Sequence, residues 1–232
     1  MADAQWVRTP RQARSMATLE RFVSATRRLL DERTFEAITV TDIVHEADRT
    51  VGSFYARFED KYAVLHVLSE RTDERLRGWT QAFCDPSRWD DEPAMAFVEG
   101  WVQANVASFH GRPALFRAFL TAAATDERFR TRRIETQRWC ASRVKAFLET
   151  RGNELDVDDI GRAADRMFEL IGMTVERHLL FGPSTDTSPT TQDGLVTDLT
   201  AQCCLLLGIG LPADRDDVID ARDGAPAFIE LS

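Results

Sequence analysis

Cysteine, lysine and long apolar runs are scarce in this sequence of 232 residues. The four cysteines lack the spacing and the partner pair of a zinc site, and adjacent Cys203 and Cys204 point in different directions on a helix. Buried free thiols in a reducing cytosol fit these positions. No run approaches the ~18 apolar residues of a membrane span, and residues 1–16 lack the apolar core of a signal peptide. These absences predict a cytoplasmic protein with no membrane partner.

Catalytic motifs are also missing. The sequence has no Gly-x-Ser-x-Gly elbow and no phosphate-binding loop, and the Gly-Ile-Gly at 208–210 ends a predicted helix instead of opening one. The four histidines show no metal-ligand spacing, and the acids at 156–159 are better explained as a helix start. We therefore predict no enzyme activity, no catalytic residue, no cofactor and no metal site.

Charge is distributed unevenly along the chain. The formal net charge is −9 and the pI is near 5.0, which argues against a nucleic-acid partner for the protein as a whole. Between Val7 and Arg33, however, seven arginines stand against three acids. Residues beyond 60 carry 20 basic and 28 acidic side chains, so only the N-terminal end could attract DNA. The excess of arginine over lysine, 27 to 2, is explained equally well by a GC-rich genome.

Three helices are predicted in the first sixty residues. Over residues 13–32, apolar side chains recur at three- and four-residue spacing and form one stripe. Thr39 caps a second, short helix, with Asp42 placed to return the contact. After a turn at residues 48 and 49, Thr50 caps a third helix that runs through Phe58. Two short helices joined by a tight turn are typical of a helix-turn-helix, although many helical domains with no DNA partner share this spacing.

The residues of this segment resemble a known family. The run from Phe22 to Leu65 closely resembles the DNA-binding domain of TetR-family transcriptional regulators. The family's pattern is matched at Phe35, Thr39, Val40, Asp42, Ile43, Ala47, Gly52, Phe54, Tyr55, Phe58 and Lys61. The family usually has glycine where this sequence has Thr34 and Asp48. Asp tolerates a left-handed backbone, whereas the β-branched side chain of Thr34 predicts a differently shaped first turn.

The resemblance implies a role for each residue around the third helix. Phe54 and Phe58, four residues apart on one face, are predicted to be core residues. Tyr55 is predicted to donate its hydroxyl to a phosphate; the alternative is a hydroxyl in solvent with the ring against the domain. The predicted base-reading side chains are Thr41, Thr50, Val51 and Ser53, beside Gly52, whose missing side chain lets the helix approach DNA. The other predicted phosphate contacts are Thr39, Arg57 and Lys61.

Beyond residue 60 the sequence reads as successive helices. They are predicted near 61–83, 91–109, 112–124, 126–151, 157–181 and 190–209. With the first three they give an all-α fold of about nine helices, as the resemblance also implies. We divide the chain into a basic arm and helix-turn-helix domain at 1–60, a helical ligand-binding and dimerisation domain at 61–211, and an acidic, loosely ordered tail at 212–232. The arm at 8–14 either contacts DNA or is a solubilising tail.

The last two helices, 157–181 and 190–209, are apolar on two sides and therefore must bury two sides. In the TetR family the final two helices pair with their copies in a homodimer; burial within the monomer core is the alternative. The family also encloses a small-molecule inducer, and an aromatic lining suits a hydrophobic or aromatic ligand. The candidate pocket residues, each of which has plain core packing as its alternative, are Trp101, Phe119, Trp139, Met167 and His178.

These inferences favour a ligand-responsive DNA-binding regulator. We predict a homodimer that binds a palindromic operator in double-stranded DNA, acts as a repressor, and is released by a small hydrophobic or aromatic inducer. The competing hypothesis is a helical small-molecule or partner-binding module whose helix-turn-helix is no longer used on DNA. The negative net charge and the carboxylate of Asp48 motivate that alternative.

Overall fold

The structure, a computed structural model, describes residues 13–182 and 191–210, and within these ranges it contains nine α-helices and no strand. The helices are α1 (Ala13–Glu32), α2 (Val40–Glu46), α3 (Val51–Tyr55), α4 (Lys61–Phe83), α5 (Ala94–Gly111), α6 (Pro113–Thr125), α7 (Glu127–Thr150), α8 (Ile160–Phe181) and α9 (Gln192–Leu206). Three 3-10 turns lie at Phe35–Ala37, Pro86–Trp89 and Gly152–Glu154. The all-α prediction is confirmed. The tail at 212–232 and arm residues 8–12 lie outside the described residues.

Helix boundaries differ from the predicted ones where a cap or turn intervenes. The third helix was predicted to run through Phe58, but α3 ends at Tyr55 and the chain reaches Phe58 through a turn. Helix α5 begins at residue 94 instead of 91, after the 3-10 turn at Pro86–Trp89. Helix α8 begins at residue 160 instead of 157, because the side chain of Asp159 accepts a hydrogen bond from the amide of Arg162 and caps it there.

The described chain divides into two compact units. The first comprises the residues up to Glu74 together with Arg112–Ile134, and the second comprises Arg75–Gly111 and the residues from Glu135 onward. The division falls inside α4 and α7, so a domain boundary at residue 60 stays a prediction. In the first unit α1 packs against α2 and α6, and α2 packs against α3. Large side chains buried in this unit include Leu19, Phe22, Leu30, Ile38, Ile43, Phe54, Phe58 and Leu65.

A buried polar cluster connects α4 to the start of α7 within the first unit. The Nε2 atom of His66 lies 3.1 Å from Oδ2 of Asp126, and the His66 ring stacks on Phe129 with centroids 3.8 Å apart. Arg132 forms an ion pair of 2.7 Å with buried Glu70. Burial lowers the pKa of His66 to about 4, although the hydrogen bond with Asp126 acts in the opposite direction. His66 is therefore neutral at pH 7.

The second unit is organised around α5, which packs against both α8 and α9. Its aromatic side chains form a connected cluster: the ring of Phe83 lies 5.1 Å from Phe97 and 5.7 Å from Trp101, and Phe97 stacks on Phe147 at 4.0 Å. After α9, Gly208 has a φ of +65° and lies against the backbone of Asp156. A side chain at this position would collide with that backbone, so the turn requires glycine.

The four cysteines are free thiols, as predicted, and three of them are buried; Cys84 is half-buried. Burial raises the pKa of Cys203 to about 12 and that of Cys204 to about 11. Thiols with such raised pKa values are protonated at neutral pH and unreactive. Within the described ranges, no helix has the length and apolar character required to cross a membrane.

Candidate nucleic-acid interface

Helix α2 begins at a complete capping box. The Thr39 hydroxyl accepts a hydrogen bond of 3.1 Å from the amide of Asp42, and the Asp42 carboxylate accepts 2.8 Å from the amide of Thr39. The Thr39 hydroxyl also donates to the same carboxylate at 2.6 Å, and these bonds hold the pKa of Asp42 below its usual range. The predicted cap is confirmed. The Thr39 hydroxyl is therefore engaged as both donor and acceptor within the capping box.

The turn between α2 and α3 is built on a left-handed residue. Asp48 has a φ of +53°. Its amide donates to the carbonyl of His45, and the amide of Arg49 donates to the carbonyl of Val44, which together form a Schellman motif in which Asp48 stands where glycine is most common. The expectation of a positive φ at Asp48 is therefore confirmed. Thr34, in contrast, is extended with a φ of −68°. The connection between α1 and α2 therefore has no left-handed residue at Thr34, and the 3-10 turn at Phe35–Ala37 follows directly.

Helix α3 has five residues and is held in place by a cap at its N-terminus and by the packing of Phe54 near its C-terminus. The Thr50 hydroxyl accepts a bond of 3.2 Å from the amide of Ser53, as predicted for a cap. Phe54 is fully buried, and its ring lies 5.4 Å from Phe22 on α1 and 5.3 Å from Phe58. A helix this short is not stable alone, so these caps and rings determine its position. The core roles predicted for Phe54 and Phe58 are confirmed.

The outer face of α3 exposes side chains that the core does not use. Val51 is 45% exposed and Tyr55 is 48% exposed, although both are largely apolar. Thr41, Thr50 and Gly52 are also exposed, whereas Ser53 is half-buried and donates its hydroxyl to the Thr50 carbonyl at 2.8 Å. A Cβ added at Gly52 would have no protein atom within 4 Å. Packing within the protein therefore gives no reason for glycine at this position.

The basic side chains around α2 and α3 have protein partners. Arg57 donates to the carbonyl of Ser53 at 2.8 Å, and Arg28 pairs with Glu46 at 2.6 Å. The Lys61 ammonium donates to the carbonyls of Phe35, Glu36 and Ile38. The sequence pattern did not reveal the Lys61 contacts, because its partners lie 23 to 26 residues earlier in the chain. Phosphate contacts by Arg57 and Lys61 remain predictions.

The segment that contains α2 and α3 is similar to known proteins. Residues 22–68 match the family model described as bacterial regulatory proteins of the tetR family. This range contains α2, α3 and the turn between them, together with the rings that hold α3. This segment of the chain is therefore similar to the DNA-binding domain of the TetR family. Members of that family are in general DNA-binding proteins and not enzymes.

Solved structures share the TetR-family fold over most of the chain. Salmonella enterica GusR is similar with a TM-score of 0.59 and 17% identity, covering 82% of this chain and 95% of its own. The regulator PfmR of Thermus thermophilus has a TM-score of 0.56 and 16% identity, with 83% and 100% coverage. A regulator from Aquifex aeolicus has a TM-score of 0.55 and 19% identity, with 82% and 99% coverage. Among curated proteins, no significant match was found.

The five candidate pocket residues are divided between the two units. Phe119 belongs to the first unit, and the other four belong to the second. Trp101 and Met167 are almost completely buried, and Trp101 packs against the rings of Trp79 and Phe83, as core residues do. Trp139 is half-buried and lies beneath the guanidinium groups of Arg77 and Arg143. His178 is half-buried on α8. Their role in binding a ligand remains a prediction.

The left-handed turn gives a first testable prediction. Asp48→Gly is expected to raise the free energy of unfolding by about 0.5–1 kcal/mol, because glycine adopts a positive φ without steric cost. Asp48→Ala is expected to lower it, since alanine pays the full steric penalty and lacks the short polar side chain that eases this conformation for Asp. Urea unfolding of the three proteins measures the order. A stability order other than Gly, Asp, Ala would contradict a left-handed turn at this residue.

Proposed function

We propose that this protein is a homodimeric transcriptional repressor that binds a palindromic operator through α2 and α3 and is released by a small hydrophobic or aromatic inducer. The observation that carries the proposal is the outer face of α3. There two largely apolar side chains, Val51 and Tyr55, are exposed, and a Cβ added at Gly52 would meet no protein atom within 4 Å. Such a face suits close contact with the major groove.

Individual side chains on this face have chemistry that suits DNA. Val51 is placed to contact a thymine methyl, and the exposed hydroxyl of Thr41 suits several base edges. Tyr55 suits a phosphate, since its ring is anchored 5.5 Å from Phe54 while the side chain remains half exposed. None of these groups has the bidentate geometry of Arg, Asn or Gln on a base pair. We therefore expect phosphate contacts and shape to contribute much of the affinity.

Exposed apolar side chains on α8 and α9 support the proposal of a homodimer. Met173 and Phe181 on α8 are 64% and 77% exposed, and Leu205 on α9 is 69% exposed. The opposite face of α8 is buried through Ile171 and Val175. Both helices therefore bury one apolar face and also expose large apolar side chains. A second copy packed on α8 and α9 would cover the exposed side chains, and two copies of α3 would meet two half-sites related by symmetry.

Footprinting on the DNA upstream of the gene for this protein tests the proposal. We expect salt-sensitive protection of two half-sites whose centres are ~34–36 Å, or a multiple of that distance, apart. A Phe181→Asp variant should lose protection of both half-sites together at concentrations near the Kd, because it places a charge in the dimer contact. Loss of the protein should raise transcription from the protected promoter. Thermal shifts with small aromatic ligands but no protection of any DNA would support the alternative of a ligand-binding module.

A substitution at Gly52 tests the effect on operator affinity separately from the effect on stability. Gly52→Ala is expected to stabilise α3 by up to about 1 kcal/mol, because alanine has the higher helix propensity and its Cβ meets no protein atom. The same change should weaken operator binding about tenfold or more, a loss comparable to that of one contact worth about 1–3 kcal/mol. Thermal unfolding and a mobility-shift titration measure the two effects.

Gly78 on α4 is a matched control for this substitution. It is also exposed and helical, and a Cβ added there would likewise meet no protein atom within 4 Å. Gly78→Ala should therefore stabilise the protein without changing operator affinity. Equal DNA affinities for both variants and the parent would mean that α3 does not approach DNA at Gly52.

A further inference from the structure

The Lys61 side chain makes three hydrogen bonds within the protein. Its ammonium donates to the carbonyl oxygens of Phe35, Glu36 and Ile38 at 2.9, 3.2 and 2.8 Å. It also lies 4.7 Å from the centre of the Phe35 ring, within the range of a cation–π contact. An ammonium group has three N–H donors and no acceptor. All three donors of Lys61 therefore have carbonyl acceptors inside the first unit.

The three carbonyls belong to the connection between α1 and α2. Phe35–Ala37 is a 3-10 turn, and Ile38 directly precedes Thr39, the capping residue of α2. Phe35 and Ile38 are buried, which fixes this connection against the core. Lys61 is the first residue of α4. Its side chain therefore ties the beginning of α4 to the segment that determines where α2 starts.

The choice of lysine at this position is informative because nearly all basic residues of the sequence are arginines. Lys61 is one of 2 lysines in a chain with 27 arginines. An ammonium is a compact charge whose three donors can reach three converging carbonyls. The guanidinium of arginine is planar and larger and directs its donors as a fork, which suits a carboxylate or phosphate instead. The three carbonyls thus form a site for which arginine is a poor substitute.

We propose that Lys61 is a positioning residue, which holds the α1–α2 connection by saturating three backbone carbonyls, and not a phosphate contact. The consequence for operator binding rests on the proposed function, because α2 and α3 are oriented from this connection. The contact itself does not depend on DNA. Its loss should be detectable in the free protein, and this distinguishes the proposal from a failure of the DNA-binding hypothesis.

Lys61→Met and Lys61→Arg test the proposal in the protein without DNA. We expect Lys61→Met to lower the Tm by about 5 °C or more, because charge-assisted hydrogen bonds are lost and three carbonyls remain without that partner. Hydrogen exchange of the amides of Ala37 and Ile38 should become about tenfold faster or more. Lys61→Arg should not restore either property fully. A phosphate contact predicts no change in the free protein for either variant.

Lys145 provides a matched control for the loss of one positive charge. It lies 3.8 Å from Asp165 in a partly exposed ion pair, so Lys145→Met should change the Tm little. If Lys61→Met does not fold while Lys145→Met does, that outcome also supports the positioning role. Lys61→Arg then remains available for the exchange measurement.

The salt dependence of operator binding also distinguishes a positioning role of Lys61 from a phosphate contact. If Lys61 positions α2, Lys61→Arg should weaken binding severalfold while the slope of log Kd against log salt stays unchanged. If Lys61 contacts a phosphate, Lys61→Arg should bind like the parent, and Lys61→Met should reduce the slope by about 0.9 for each subunit. Parental Tm and exchange rates in both variants, with that reduced slope, would overturn the proposal.

Discussion

Phe54→Ala is expected to lower the free energy of unfolding by about 3–5 kcal/mol, the range for removing a large aromatic side chain from a core. Phe54 is fully buried, and its ring lies within 5.5 Å of the rings of Phe22, Phe58 and Tyr55. The loss should be concentrated in α3, because a five-residue helix has few other contacts to keep it in place. Urea unfolding measures the total, and hydrogen exchange of the α3 amides measures the local part.

The neighbouring residue supplies the control for this experiment. Tyr55 is 48% exposed, so Tyr55→Phe should change stability by no more than about 0.5 kcal/mol. Under the proposed function it should instead weaken operator binding, since only the hydroxyl is removed. Phe54→Leu keeps most of the buried volume and should lose less stability than Phe54→Ala. Comparable stability losses for Tyr55→Phe and Phe54→Ala would contradict the division of inward and outward roles.

This division of roles could be predicted from the sequence, because it depends on local geometry. A four-residue spacing places Phe54 and Phe58 on one side of the chain, and caps such as Thr39 and Thr50 act on amides three residues away. The positive φ at Asp48 is likewise a property of one turn. Such features need no knowledge of the rest of the fold. The end of α3 was misplaced for a related reason: a turn after Tyr55 still brings Phe58 to the core.

Long-range contacts could not be predicted in this way. The bonds of Lys61 reach residues 23 to 26 positions earlier, and His66 meets Asp126 60 positions later. An N-terminal lysine on a helix suggests an anion partner, and only the fold reveals that carbonyls take its donors. The pocket residues show the same limit. Their aromatic character selected Trp101 and Phe119 alike, but burial and the division into units are properties of the folded chain.

The second large expected effect is a loss of stability at acidic pH. Wild-type protein is expected to lose about 2 kcal/mol of its free energy of unfolding between pH 7 and pH 5 through His66 alone. Burial lowers the pKa of His66 in the folded protein from 6.5 to about 4. Between these two values the unfolded chain binds a proton that the folded protein does not, so stability falls as the pH falls through this window. The full difference corresponds to about 3 kcal/mol and is reached only below pH 4.

The charged groups that face His66 set the limits of this window. Asp126 lies against Nε2, whereas the positive charges of Arg128 and Arg132 oppose protonation of the His66 ring. The hydrogen bond from the Arg128 side chain, the largest cause, lowers the pKa of Asp126 to about 2. The Asp126 carboxylate therefore stays ionised throughout, and its own contribution to stability is lost only as the pH falls below about 4. The two groups act in different pH ranges and can be distinguished.

His66→Gln isolates the histidine contribution. Glutamine can still donate to Asp126 but does not bind a proton in this pH range. At pH 7 the variant should be less stable than the parent, because it lacks the ring that stacks on Phe129. Its stability should then vary between pH 7 and pH 5 by about 2 kcal/mol less than that of the parent. His45→Gln, on the exposed surface of α2, controls for the loss of a histidine as such. Parallel pH profiles of unfolding for the parent and His66→Gln would show that His66 is protonated with similar ease in the folded and unfolded chains, and that the cluster with Asp126 does not make the first unit sensitive to acid.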